Sequence, residues 1–158
     1  MNPKRQSNTL TKKKNGAGAE QKGSAMPYFD GMVEYIPEAL IATDNQHVVI
    51  GWNAAAERIY GWKAEEVLGK KLDDLLQTEY EENSSEDEAI EIVQQTGTWL
   101  AEVTQLRKDG KRIPIRSSVS VVKDEQGARI GFIGINCDIS DQKRIKEQVA
   151  TQAARLIF

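Results

Sequence analysis

Few residues in this chain could carry chemistry: one histidine, His47, one cysteine, Cys137, and a run of seven carboxylates (Glu79, Glu81, Glu82, Glu86, Asp87, Glu88 and Glu91). Nucleophilic catalysis needs a nucleophile, a base and an orienting acid, and phosphoryl chemistry needs a glycine-rich phosphate loop. Neither pattern is present, nor is a metal triad, so no catalytic activity is expected of this chain. The carboxylate run has neither an accompanying histidine nor the Asp/Asn-Gly spacing of a calcium loop. It reads as the solvated face of a helix, with no metal site. A lone cysteine excludes an internal disulfide and a cysteine-based zinc site, and it fits a reducing, cytoplasmic compartment. Cys137 itself reads as a small packed residue, and His47 as a surface residue of a turn.

One stretch stands out from this background. Residues 130–144 run Ile-Gly-Phe-Ile-Gly-Ile-Asn-Cys-Asp-Ile-Ser-Asp-Gln-Lys-Arg, a glycine-dotted apolar strand leading into a charged helix. Alternation puts Ile130, Phe132, Gly134 and Asn136 on one face and Gly131, Ile133, Ile135 and Cys137 on the other. Neither face is polar enough for water, so a core is expected on one side and a helix or second subunit on the other. The strand is placed to transmit, and the junction Asp138-Ile139-Ser140 is the expected point at which it couples to the helix.

The chain has 158 residues, 39% of them hydrophobic and 28% charged, enough for one domain with a core plus tails. Its net charge of −3 is unevenly spread. Residues 1–25 carry Lys4, Arg5, Lys12, Lys13, Lys14 and Lys22 against Glu20 alone, and their low apolar content predicts a disordered basic leader. The remainder is acidic, which argues against specific nucleic-acid binding. No apolar run reaches the roughly 18–20 residues that span a bilayer, so no membrane contact by this chain is expected.

The domain itself is expected over residues 26–140. Tyr28, Phe29, Met32, Val33 and Ile36 recur at helical spacing, and Pro37 should end that helix. Residues 40–43 and 48–52 predict two short strands around a turn at 44–47. Asn53 should cap a two-turn helix closed by Gly61, and two further single turns follow at 63–68 and around Leu72, Leu75 and Leu76. A helix should start near Ser84 or Ser85, present Ala89, Ile90, Ile92 and Val93 inward, and close at Gly97. Residues 99–107 and 112–123 then predict strands joined by a turn containing Asp109-Gly110, a strong hairpin signal. One face of the second strand is expected to be wet. The fold class is therefore α+β: a five-stranded antiparallel sheet with short helices capping one face, flanked by N-terminal and C-terminal helices.

This order resembles the PAS sensor domain over residues 27–141. The matching pieces are Pro37-Glu38-Ala39-Leu40-Ile41-Ala42-Thr43-Asp44, Trp52 through Trp62, Glu66-Val67-Leu68-Gly69-Lys70, Gly97 through Glu102, Arg107-Lys108-Asp109-Gly110, and Asp138-Ile139-Ser140-Asp141. Ala101 and Ser140 depart from the family's glycine and threonine. The resemblance implies a cup-shaped sheet enclosing a small cavity under a helical cap. Candidate ligand-binding residues are Asn53, Ile59, Tyr60, Leu72, Leu76, Val93, Trp99, Ile115, Phe132, Gly134 and Asn136.

Coloured cofactors are disfavoured by the same comparison. Haem-binding members use a histidine on the helix before the Trp99 strand, and residues 84–96 contain none. Flavin members that form a light-driven adduct use a cysteine in the cap, and residues 53–96 contain none. Cys137 is also poorly placed to match the thioester cysteine of yellow-protein photoreceptors. A small metabolite, a noncovalent flavin held near Trp52, Trp62 and Trp99, or no ligand at all remains open.

Residues 141–158 predict an exit helix in which Ile145, Val149, Gln152 and Leu156 follow at spacings of 4, 3 and 4, a heptad-like seam. Ser140 should cap it, and the chain is expected to be a fragment whose helix leads to an output domain. The expected function is sensory: a homodimeric input domain of a signalling protein such as a histidine kinase, relaying a cavity event through residues 138–158. A ligand-free dimerisation module is the alternative.

Overall fold

The computed structural model describes residues 31–157. The basic leader and the first part of the predicted N-terminal helix, with Tyr28 and Phe29, lie outside the described residues. Residues 31–33 are helical, and the chain has left the helix before Ile36.

Two short strands open the fold, β1 (Ala39–Asp44) and β2 (Val49–Trp52). Asp44 makes the turn between them, its carboxylate accepting from the N–H groups of Gln46 and Val48 at 2.8 and 3.0 Å. The same device recurs at both later hairpins: Asp109 accepts from Lys111 N–H, and Asp124 accepts from Gln126 and Ala128 N–H.

The cap consists of four helices: α1 (Ala54–Tyr60), α2 (Ala64–Val67), α3 (Leu72–Leu76) and α4 (Glu86–Thr96). Asn53 caps α1 by accepting from Ala56 N–H at 2.9 Å, and Ser85 caps α4 by accepting from Glu88 N–H at 3.2 Å. Gly61 and Gly97 close these helices with φ of 79° and 84°, a left-handed geometry that costs glycine nothing.

The chain then returns through β3 (Thr98–Leu106), β4 (Arg112–Lys123) and β5 (Arg129–Asp138). The sheet order is β2-β1-β5-β4-β3, antiparallel throughout, so the last strand ends in the middle beside the first. Close approach of β1 to β5 requires Gly131, where an added Cβ would stand 2.1 Å from the Thr43 carbonyl oxygen.

Ile41, Val49, Tyr60, Val67, Leu76 and Ile115 are the most deeply buried large side chains of the core between sheet and cap. The other sheet face is only half covered. Register aligns Leu40, Ile135, Ser118 and Leu100 in one row across four strands. Of these, Ile135 is 43% and Leu100 68% exposed. The expected wet face of β4 is thus mixed: Arg116 is exposed, while Pro114, Ser118 and Ser120 are half-buried.

After β5 the chain enters α5 (Ser140–Ile157), none of whose residues is buried. It does not fold back over the sheet. An ion pair from Lys143 to Glu102 on β3, at 3.3 Å, ties its first turns to the domain.

Candidate functional site

Strand alternation delivers Ile41 and Thr43 from β1, Trp99 and Gln105 from β3, Ser117 and Val119 from β4, and Phe132, Gly134 and Asn136 from β5 to the inner face. The cap places Leu72 and Leu76 of α3, Thr78 and Tyr80 of the following loop, and Ala89, Ile90 and Val93 of α4 opposite them. Between sheet and cap lies a cavity of about 120 Å³.

The expected sites divide on this geometry. Leu72, Leu76, Val93, Trp99, Phe132, Gly134 and Asn136 line the cavity. Asn53, Ile59, Tyr60 and Ile115 do not line it. Asn53 is committed elsewhere, accepting from Leu40 N–H and Ala56 N–H and donating to the Val33 and Glu38 carbonyls. Tyr60 and Ile115 lie deeper, fully buried, and Ile59 packs on the core while its carbonyl accepts from the Arg107 guanidinium. Trp99 is the one tryptophan in the lining. Trp52 is buried in the core and donates through Nε1 to the Trp62 carbonyl at 3.1 Å, and Trp62 lies beneath the Lys70 and Lys108 ammonium groups.

Tyr60 nonetheless supports the site from behind. Its hydroxyl donates to Gln105 Oε1 at 2.5 Å and accepts from Asn136 Nδ2 at 2.8 Å. Asn136 Oδ1 accepts from the Ser117 hydroxyl at 2.7 Å, and Gln105 Nε2 donates to Thr78 Oγ1 at 3.2 Å. One helix, three strands and one loop of the domain are thereby joined through one buried polar chain. Burial raises the Tyr60 phenol's pKa above its ordinary value, outweighing the hydrogen bond from Asn136. Tyr80, edge-on to Trp99 at 6.0 Å, is pushed up to about 12 by burial and by the carboxylates of Glu86 and Asp73.

His47, expected as a surface residue of the turn, keeps that place with its side chain 34% exposed, and it also contributes to the cavity lining. Its φ of 61° is in the left-handed region. The ring packs on Phe132, centroids 5.2 Å apart, and Nδ1 lies 3.7 Å from Asp73. The Leu72 N–H donates to the His47 carbonyl at 3.0 Å, which joins the turn to α3. Asp73 and Glu86 are the carboxylates on the lining, which includes no Lys or Arg among the described residues.

Sequence reasoning missed the polar lining residues Thr43, His47, Thr78, Gln105 and Ser117, the carboxylates Asp73 and Glu86, and Ile41, Tyr80, Ala89, Ile90 and Val119. The signal for two of them was available: Gln105 alternates with Val103, and Ser117 with Ile115, on inward positions where a polar side chain must find a buried partner.

The expected coupling residues are placed at the strand-to-helix junction, with one role exchanged. Asp138, and not Ser140, supplies the cap: its Oδ1 accepts from the Ser140 backbone N–H at 2.9 Å and from the Ser140 hydroxyl at 2.5 Å. Ile139 is 3% exposed, its N–H donates to the Pro114 carbonyl, and its own carbonyl accepts the first helical bond from Lys143. Ile145, Val149 and Leu156 are exposed along α5.

Known proteins supply the comparison. Two-component system protein A of Emericella nidulans is 26% identical over 105 residues, which is 66% of this chain and 15% of that protein. The chain thus spans about 15% of the length of that relative. The crystal structure of a PAS domain from Colwellia psychrerythraea is 28% identical, with a TM-score of 0.64 over 73% of this chain and 98% of the other. An RNA-binding light-oxygen-voltage receptor, 20% identical, shares the fold with a TM-score of 0.65 over 87% of this chain and 40% of its own. A PAS domain from a two-component sensor histidine kinase, 15% identical, does so with a TM-score of 0.58 over 72% of this chain and 95% of its own. A family model described as PAS fold matches residues 28–139, and the chain belongs to the PAS-fold family.

Proposed function

We propose that this domain is a sensory input module of a signal-transduction protein of the two-component type, binding a small molecule in the inner cavity and passing the event to an output domain through α5. The supporting observation is a short covalent path: Asn136 lines the cavity, and two residues along the same strand Asp138 holds the first turn of α5. A ligand that shifts Asn136 bears on the junction directly. It alters output only to the extent that it binds the two junction states unequally.

The module works as a homodimer in the cytoplasm. With Ile145 and Gln152 at d positions and Val149 and Leu156 at a, Asp141 falls at g and Lys146 at e. A parallel pair of α5 helices would therefore set each Asp141 against the partner's Lys146. Exposure of this seam in the single chain, with Val149 at 60%, supports the same reading. The exposed Leu100 and Ile135 favour a second reading, in which the domain pairs subunits and senses nothing. Native mass spectrometry of the purified chain separates the two. A dimer that releases a bound small molecule on activation supports sensing; an empty dimer assigns the domain to pairing alone, and an empty monomer contradicts both.

A further inference from the structure

The hydrogen-bond polarity of the cavity's inner wall restricts what can bind there. A phenol has one proton, and Tyr60 spends it on Gln105 Oε1 at 2.5 Å. The Gln105 amide is therefore oriented with its oxygen toward Tyr60 and its Nε2 toward Thr78 and the cavity. Asn136 uses its two N–H groups on Tyr60 and, at 3.4 Å, on Gln105 Oε1, and its carbonyl receives the Ser117 proton. When these bonds are assigned, the unused capacity left within this polar chain is a definite set, while Thr43, His47, Tyr80 and Trp99 present polar groups elsewhere on the lining. Gln105 Nε2 keeps one N–H and Thr78 keeps its O–H, both donors, while Ser117 Oγ keeps lone pairs, an acceptor. The raised pKa of Tyr60 keeps its proton, and hence this polarity, at all physiological pH values.

Charge and size narrow the class further. An anion would face Asp73 and Glu86 and meet no Lys or Arg on the described lining, so a carboxylate or phosphate would be desolvated with no cation to pair with. The volume of about 120 Å³ is somewhat below the roughly 150 Å³ of an engineered apolar cavity that takes up benzene, and well below the roughly 300 Å³ at which drug-sized pockets begin. Ile41, Leu76, Val93, Val119 and Phe132 offer apolar walls to the rest of such a molecule.

Resting on the sensory reading above, we infer that the cavity selects an uncharged molecule of about benzene size carrying a carbonyl acceptor beside an N–H or O–H donor, the edge of a lactam or cyclic amide, and that it excludes anions and tricyclic cofactors. The carbonyl takes the protons of Gln105 and Thr78, and the donor finds Ser117.

Three probes test this on the whole chain by amide and side-chain NMR: 2-pyridone, benzene and benzoate. The expected result is saturable binding of 2-pyridone with movement of the Gln105 side-chain NH2 signals, weaker binding of benzene, and none of benzoate at the same concentration. Thr78→Val should weaken 2-pyridone by roughly fivefold, the worth of about 1 kcal/mol for one hydrogen bond, and leave benzene unchanged. Gln105→Leu should weaken it further; if that variant does not fold, Thr78→Val carries the test. Benzoate binding as tightly as 2-pyridone, or benzene binding equally well, overturns the ligand class while leaving a binding cavity. Failure of every probe to move any cavity signal overturns the cavity reading itself.

Discussion

Replacing Asn53 with alanine should be the most damaging single polar substitution in the domain. The residue is 2% exposed and makes four hydrogen bonds of 2.9 to 3.1 Å, which join the turn after residue 33, the start of β1 and the start of α1. Loss of the cap to Ala56 N–H alone costs about 1 kcal/mol. The Leu40 N–H, left without its acceptor, adds about 1–3 kcal/mol, and the Val33 and Glu38 carbonyls lose their donor as well. Such losses are not additive, and about 3–5 kcal/mol is the expected total. Urea unfolding followed by circular dichroism should show this as a lower midpoint at unchanged slope. Asn53→Ser keeps a cap and should recover only about 1 kcal/mol. Asn53→Asp retains both acceptor bonds but sets a carboxylate against two carbonyls, and should be at least as destabilising as alanine. If Asn53→Ala costs under about 1.5 kcal/mol, or serine restores most of the loss, the residue is a simple cap and the three-segment junction is wrong.

Further expectations concern the buried phenol, the sheet and the dimer. Because the folded pKa of Tyr60 is raised, its contribution is complete below the unfolded value near 10 and is lost as pH rises through and beyond it. The stability gap between the native chain and Tyr60→Phe should therefore narrow above about pH 10, and a gap constant from pH 8 to 11 would contradict the buried phenol. Gly131→Ala must displace β1 from β5, since the Thr43 carbonyl lies 2.1 Å from the new Cβ, and should cost about 1–3 kcal/mol in thermal unfolding. Val149→Glu on the exposed seam should convert a dimer to monomer in sedimentation without lowering the stability of the single domain; an intact dimer would remove α5 from the interface.

Local chemistry was readable from the residues, and long-range placement was not. Asn53, Ser85, Gly61, Gly97 and the Asp109-Gly110 turn act on their own neighbours, so their types alone announced the helix ends and the hairpin. Ser140 misled because a serine before a charged helix is an ordinary cap, yet Asp138, two residues earlier, takes its hydroxyl proton as well as its N–H. Period-two alternation sorted β5 into two faces but could not say which was inner; that depends on β5 lying between β1 and β4, a pairing between distant segments. Tyr60, a candidate lining residue by the family resemblance, stands one layer behind and reaches the cavity through Gln105 and Asn136, a depth that its place on a helix does not state. His47 stays in its exposed turn yet also reaches the lining, and nothing in the local sequence states its left-handed φ.

Occupancy of the cavity should alter the start of α5 through Asp138. The measurement is hydrogen exchange of residues 138–149 in Val93→Phe, which fills the cavity from α4. Exchange in those turns should change several-fold on filling, and the change should disappear when Asp138→Ala is added. Unaltered exchange in α5, alongside altered exchange in α4 and β3, would contradict it.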